Sequence, residues 1–239
     1  MEHVIEVNGL TKMFGTFTAV NAISFQVKKG EIFGFLGANG AGKTTAMKML
    51  IGISHPTSGT AKVAGFDVFK QTESIKKNIG YMSQKFALYD DLTVKENIMF
   101  FGGIYGLSRS TIKKKTETLI EELGLQNIVD NLVGSLPLGW KQKLSFSVAL
   151  LHNPKIIFLD EPTGGVDPIT RRQFWEMIYK TAHEGTTIFV TTHYMDEAEY
   201  CDRVSIMVNG KIEALDTPKM LKERFEVTSM NDVFLKLAR

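Results

Sequence analysis

An α/β fold with parallel strands at its centre is what this sequence predicts, and three observations carry the prediction. Two short unbroken apolar runs, I-F-G-F-L at 32–36 and I-I-F-L at 156–159, read as strands buried on both faces, the condition of a parallel sheet. Helical patterns follow the strands in alternation, as βα units require. The first strand passes into a helix through a glycine-rich loop, G-A-N-G-A-G-K-T-T at 37–45, the order that sets anions against a helix N-terminus.

Taken in order, V-I-E-V-N-G-L and A-I-S-F-Q-V read as strands before the loop, and G-T-A-K-V-A-G-F-D-V after it, a β-rich start. Met47, Leu50 and Ile51 share one face of the helix that the loop opens. From Thr93 the period changes, and T-V-K-E at 93–96 has the form of a capping box. Helical patterns then run almost to Asn153, an insert of about 90–152 between core segments of about 1–89 and 153–239 in a single domain. The core resumes with K-I-I-F-L-D, a helix from Pro168 ending near Gly185, the strand T-T-I-F-V-T-T, and a closing hairpin turning at Asn209-Gly210.

A chain of 239 residues, 44% hydrophobic and 23% charged, is long enough for a full core. Its net charge of +2 lacks the basic excess of nucleic-acid binders, so no nucleic-acid partner is expected; Lys113, Lys114 and Lys115 read as a solvated helix face. The single cysteine, Cys201, excludes an intramolecular disulfide and reads as a small packed residue in a helix-like stretch. No segment approaches the roughly 20 apolar residues of a membrane span, and the first residues alternate like a strand rather than forming a signal peptide. The expected location is therefore cytoplasmic.

The loop carries the most specific chemistry. In the spacing Gly37-x4-Gly42-Lys43-Thr44, the backbone of Gly37, Ala38, Asn39, Gly40, Ala41 and Gly42 can turn its N–H groups around phosphate oxygens. Lys43 adds a point charge, and Thr44, followed by Thr45, offers a hydroxyl to Mg²⁺. Asp160 and Glu161 end the second buried strand: Asp160 suits a metal's water shell opposite Thr44, and Glu161 suits proton removal from an attacking water. Strand-end solvation is the plainer reading of such a pair taken alone. Gln84 and His193 also follow strands, so four chain segments deliver polar groups to one predicted sheet edge, where open α/β sheets bind ligands. Asp167 before Pro168 has the form of a helix N-cap, and Phe14 is either a strand-borne core aromatic or a platform for a base.

With these residues assembled, the chain resembles the ATPase subunit of an ATP-binding cassette (ABC) transporter from about Val4 to its end. The loop matches Walker A, I-I-F-L-D-E-P-T matches Walker B, Y-M-S-Q the Q-loop, G-G-V-D-P the D-loop and T-T-H the switch histidine. The resemblance implies a P-loop NTPase core with an antiparallel β subdomain and an inserted helical subdomain. It implies ATP and Mg²⁺ as ligands, with Phe14 stacked on adenine. Catalytic roles fall to Glu161, His193, Lys43 and Gln84, and metal binding to Thr44, Gln84 and Asp160. Gln84 would also report occupancy to a membrane subunit.

The signature, L-S-G-G-Q in this family, is the exception. The matching residues are L-P-L-G-W at 136–140, expected just before a helix at Lys141, and only Leu136 and Gly139 agree. Pro137 removes a hydroxyl and an N–H donor, and Leu138 is expected to restrict a backbone position that glycine leaves free. Leu136 and Gly139 would approach the nucleotide of a second copy in a homodimer or ABC heterodimer. This variant, with T-T-H-Y-M-D-E-A-E-Y-C-D-R and M-N-D-V-F-L-K-L, is similar to type-2 exporters of drugs and other amphipathic compounds, whose permease subunits would be separate chains holding this one at the membrane's cytoplasmic face. Two alternatives stand beside it: a regulatory nucleotide-binding subunit of an asymmetric pair, and a soluble non-transport ABC ATPase acting on ribosomes or DNA. A GTPase is disfavoured because N-K-x-D is absent.

Overall fold

Two sheets share one core in the computed structural model, which describes residues 2–85 and 87–238. Strands β1 (His3–Phe14), β2 (Phe17–Lys28), β4 (Ser58–Val63) and β5 (Phe66–Asp67) form an antiparallel sheet in the order β2-β1-β4-β5. The second sheet has the order β10-β9-β3-β8-β7-β6, built from β3 (Ile32–Leu36), β6 (Ile79–Met82), β7 (Ile156–Asp160), β8 (Thr187–Thr192), β9 (Arg203–Val208) and β10 (Lys211–Asp216). Its pairings from β6 through β9 are parallel, and only β10 runs back against its neighbour. The last hairpin turns at Asn209 and Gly210, both with positive φ (48° and 80°), as a primed two-residue turn demands.

The side-chain period of two splits the central strands cleanly. Phe33, Phe35, Phe158 and Phe189 face the antiparallel sheet, where Phe25 lies 5.5 Å from Phe33, and α1 (Lys43–Leu50) adds Met47 and Leu50. Ile32, Leu36, Ile157, Leu159, Ile188 and Val190 face the opposite layer, which α6 (Pro168–His183) closes with Phe174, Trp175 and Ile178. Burial on both faces explains why these strands read as unbroken apolar runs.

Between β6 and β7 the chain forms α3 (Val94–Ile104), α4 (Arg109–Leu123) and α5 (Leu138–Ala149) around a separate cluster of Val94, Ile98, Leu125, Val133, Leu144 and Val148. His152 ties this insert to the sheet: its ring stacks on Tyr105 at 3.9 Å, and its Nε2 lies 2.9 Å from the carbonyl of Ile79 on β6. α2 (Thr72–Asn78) precedes that strand, and α7 (Pro218–Arg224) and α8 (Met230–Leu237) finish the described chain.

The capping box forms as its sequence predicts, with Thr93 N donating to Glu96 Oε2 at 2.8 Å and Glu96 N to Thr93 Oγ1 at 3.2 Å. Thr93→Ala is expected to cost about 1 kcal/mol, read as a lower urea midpoint, while Thr93→Ser retains wild-type stability. Asp167 caps α6, its Oδ1 accepting from Ile169 N and Thr170 N at 3.0 Å. Of the three adjacent lysines, Lys113 and Lys114 are exposed, whereas Lys115 is half-buried and donates to Asn153 Oδ1 at 2.8 Å. Cys201 is buried, as expected, but follows a 3-10 turn (Met195–Tyr200) rather than sitting inside a helix.

One expectation is corrected. α5 begins at Leu138, not at Lys141, with Pro137 as its N-cap. The Pro137 carbonyl accepts from Trp140 N and Lys141 N at 3.0 and 3.2 Å, so the proline's missing N–H falls outside the helix, where it costs no helical bond. Leu138 is the first helical residue and needs no positive φ, so leucine imposes no backbone restriction there.

Candidate functional site

Parallel pairing aligns the carboxyl ends of β3, β6, β7 and β8, and the polar residues that follow those strands converge. The loop after β3 bends sharply into α1 at Gly42, whose φ of 104° and approach to Ala19 O leave no room for a side chain; a Cβ there would lie 2.4 Å from that oxygen. The N–H groups of Lys43, Thr44 and Thr45 make no hydrogen bond among the described residues, the expected state of a helix's first turn.

Lys43 is buried, and its Nζ donates to the carbonyls of Gly37 and Ala38 at 2.7 and 3.2 Å and sits 3.4 Å from Glu161 Oε1. Burial pulls its pKa down, and the neighbouring Glu161 and Asp160 oppose that only in part. An ammonium held this way gains from further negative charge.

Glu161 is the hub. Its Oε2 accepts from Gln84 Nε2 at 3.1 Å and lies 2.9 Å from His193 Nδ1, while Lys43 approaches Oε1. Its backbone is left-handed (φ 49°), a conformation costing a non-glycine residue about 1 kcal/mol, and its N–H reaches both the carbonyl and the hydroxyl of Thr191 at 3.1 Å. Asp160 beside it is buried; its Oδ1 accepts from Thr44 Oγ1 at 3.1 Å and Thr191 Oγ1 at 2.7 Å. Tyr81, on β6, has its phenol pushed up to about 12, by burial first and then by the Asp160 charge.

Lys43, Thr44, Gln84, Asp160, Glu161 and His193 are thus joined by direct contacts. Phe14 stands apart at the end of β1, 55% exposed, with Lys12 Nζ 5.0 Å from its ring centre. Leu136 is buried in the helical insert, and Gly139 lies in the first turn of α5, where a Cβ would meet Thr170 Cγ2 at 2.7 Å. Around that helix start, Gln142 Nε2 lies 3.5 Å from Gly164 O, and Leu138 approaches Gly165.

Two features escape a reading of the sequence alone. Thr191 is one of three threonines in β8, and nothing in the sequence sets it apart from Thr187 and Thr192. Glu197 is fully buried; Thr163 Oγ1 donates to its Oε1, Trp175 Nε1 lies 3.5 Å from the same atom and Arg171 Nε 3.8 Å. That cluster links the turn after Glu161 to the segment after His193.

Comparison with known proteins gives a family and a fold. The family described as ABC transporter matches residues 20–164. The chain is 50% identical over 221 residues to the probable multidrug ABC transporter ATP-binding protein YbhF of Escherichia coli (strain K12), covering 92% of the chain but only 38% of that relative's length. It is 36% identical over 245 residues to the linearmycin resistance ATP-binding protein LnrL of Bacillus subtilis (strain 168), covering 99% of the chain and 79% of the relative. A solved structure described as the ATP-binding subunit of an ABC transporter superposes with a TM-score of 0.88 at 27% identity, covering 98% of this chain and 99% of that one.

Proposed function

This chain belongs to the ABC transporter family, and from that membership we propose that it is the ATP-hydrolysing subunit of an exporter of drugs or other amphipathic compounds. The observation that carries the reading is the meeting of Lys43, Thr44, Gln84, Asp160, Glu161 and His193 at the ends of parallel strands. A triphosphate suits what lies there: open N–H groups at the start of α1, a buried ammonium short of negative charge, and a glycine where a side chain would intrude. Phe14 supplies a face for the adenine.

Thr44, Asp160 and Gln84 are the residues that would hold Mg²⁺, which offsets phosphate charge when bound. Lys43 shifts from the Gly37 and Ala38 carbonyls and from Glu161 onto the phosphates, which loosens one hold on the carboxylate. Glu161 then takes the proton of the attacking water as its oxygen bonds to the γ-phosphorus and the bond to the ADP oxygen breaks. His193 steadies the γ-phosphate.

The other wall of the site is the start of α5 in a second ATP-binding subunit, Gly139 with the backbone that follows the buried Leu136, in a homodimer or heterodimer. With Pro137 as N-cap, the N–H groups of Leu138 and Gly139 are first-turn donors of α5 and serve where the serine hydroxyl is absent. Among the described residues no helix is long and apolar enough to cross a membrane. In this reading permease subunits carry the transported compound and hold the chain at the cytoplasmic face; residues 1–239 act as one domain, with about 90–152 as its helical part. The test is phosphate release by the purified chain in Mg·ATP. Turnover that vanishes without Mg²⁺ and rises more than linearly with protein concentration is expected; ATP binding without turnover would assign the chain to a regulatory role.

A further inference from the structure

Thr191 and Asp160 are directly paired in the parallel register of β7 and β8. The Thr191 side chain is wholly buried, and its single hydroxyl bonds the Asp160 carboxylate and the Glu161 backbone. It donates to Asp160 Oδ1 at 2.7 Å and accepts from Glu161 N at 3.1 Å. The other donor to that Oδ1 is Thr44 Oγ1, at 3.1 Å. Asp160 Oδ2 accepts no hydrogen bond among the described residues.

We propose that Thr191 is a positioning residue for this site, holding Asp160 so that its second oxygen meets the metal's water shell; this rests on the functional reading above. Once Thr44 turns its hydroxyl to the metal, Asp160 Oδ1 keeps one donor, and that donor is Thr191. The same hydroxyl braces the left-handed turn at Glu161, so the metal-side acid and the proton acceptor are set by one side chain. Outer groups of this kind tune metal affinity by about 10- to 100-fold.

The experiment compares wild type, Thr191→Val, Thr191→Ser and Thr191→Ala in ATPase assays across a Mg²⁺ titration, with nucleotide binding measured in EDTA and a thermal melt of each. Thr191→Val is expected to raise half-saturating Mg²⁺ about tenfold and to lower turnover while leaving metal-free ATP binding unchanged, and Thr191→Ser to restore both. Wild-type Mg²⁺ dependence in Thr191→Val, or a serine variant as impaired as valine, overturns the inference. If valine unfolds the chain, serine must still exceed alanine in Mg²⁺ affinity, and equality overturns it. Absence of Mg²⁺-dependent turnover in the wild type would sink the functional reading itself, an outcome distinct from the others.

Discussion

Glu161→Gln is expected to lower steady-state ATP turnover by about 10²-fold or more, the span of a general base, while leaving ATP affinity near wild type. The amide keeps the shape of the carboxylate and one acceptor oxygen, which serves the Gln84 and His193 side while its NH2 faces Lys43, so only that part of the network persists. What it loses is the ability to take a proton. The left-handed backbone is held by the Thr191 carbonyl and hydroxyl, neither of which depends on the Glu161 side chain, so local geometry should survive. Phosphate release and equilibrium binding, measured on the same preparation, separate the two effects. Turnover equal to wild type would mean that another group accepts the proton.

That residue also marks how far the sequence could be read. Its identity was legible because a buried strand ends in Asp160 and Glu161 behind a phosphate loop. The elements around it were legible for equally local reasons: β3 is five apolar residues buried on both faces, α3 starts at a complete capping box, and the last hairpin turns on Asn-Gly. Thr191 was hidden, because its role comes from pairing with Asp160 across two strands, and register between distant segments leaves no mark on either. The start of α5 is masked for another reason. Pro137 reads as a lost donor inside a motif, yet at an N-cap the lost N–H lies where the helix does not use it. Glu197 gave no signal, since its neighbours Thr163, Trp175 and Arg171 come from two other stretches of chain.

Lys43→Ala should separate binding from folding. A buried ammonium bonded to phosphate oxygens contributes about 1.5–3 kcal/mol per charged hydrogen bond, so loss of Lys43 is expected to weaken ATP about 10²-fold. In the absence of nucleotide the same charge works against the fold: desolvation outweighs the pull of Glu161 and Asp160, which is why its pKa falls. A lysine with a folded pKa below its unfolded 10.5 carries a cost throughout neutral pH, and that cost is relieved only as pH rises through the folded value toward 10.5. The nucleotide-free variant should therefore lack the wild type's gain of stability in that alkaline window. Glu161 remains held by His193 and Gln84. ATP at about a hundredfold its wild-type Kd stabilises the wild type by about 2.7 kcal/mol, and after a 10²-fold loss of affinity the same concentration gives about 0.4. Thermal melts with and without ATP read both quantities at once. A variant that loses stability without nucleotide yet keeps its ATP-induced rise would reverse the assignment, making Lys43 a structural cation rather than the phosphate ligand.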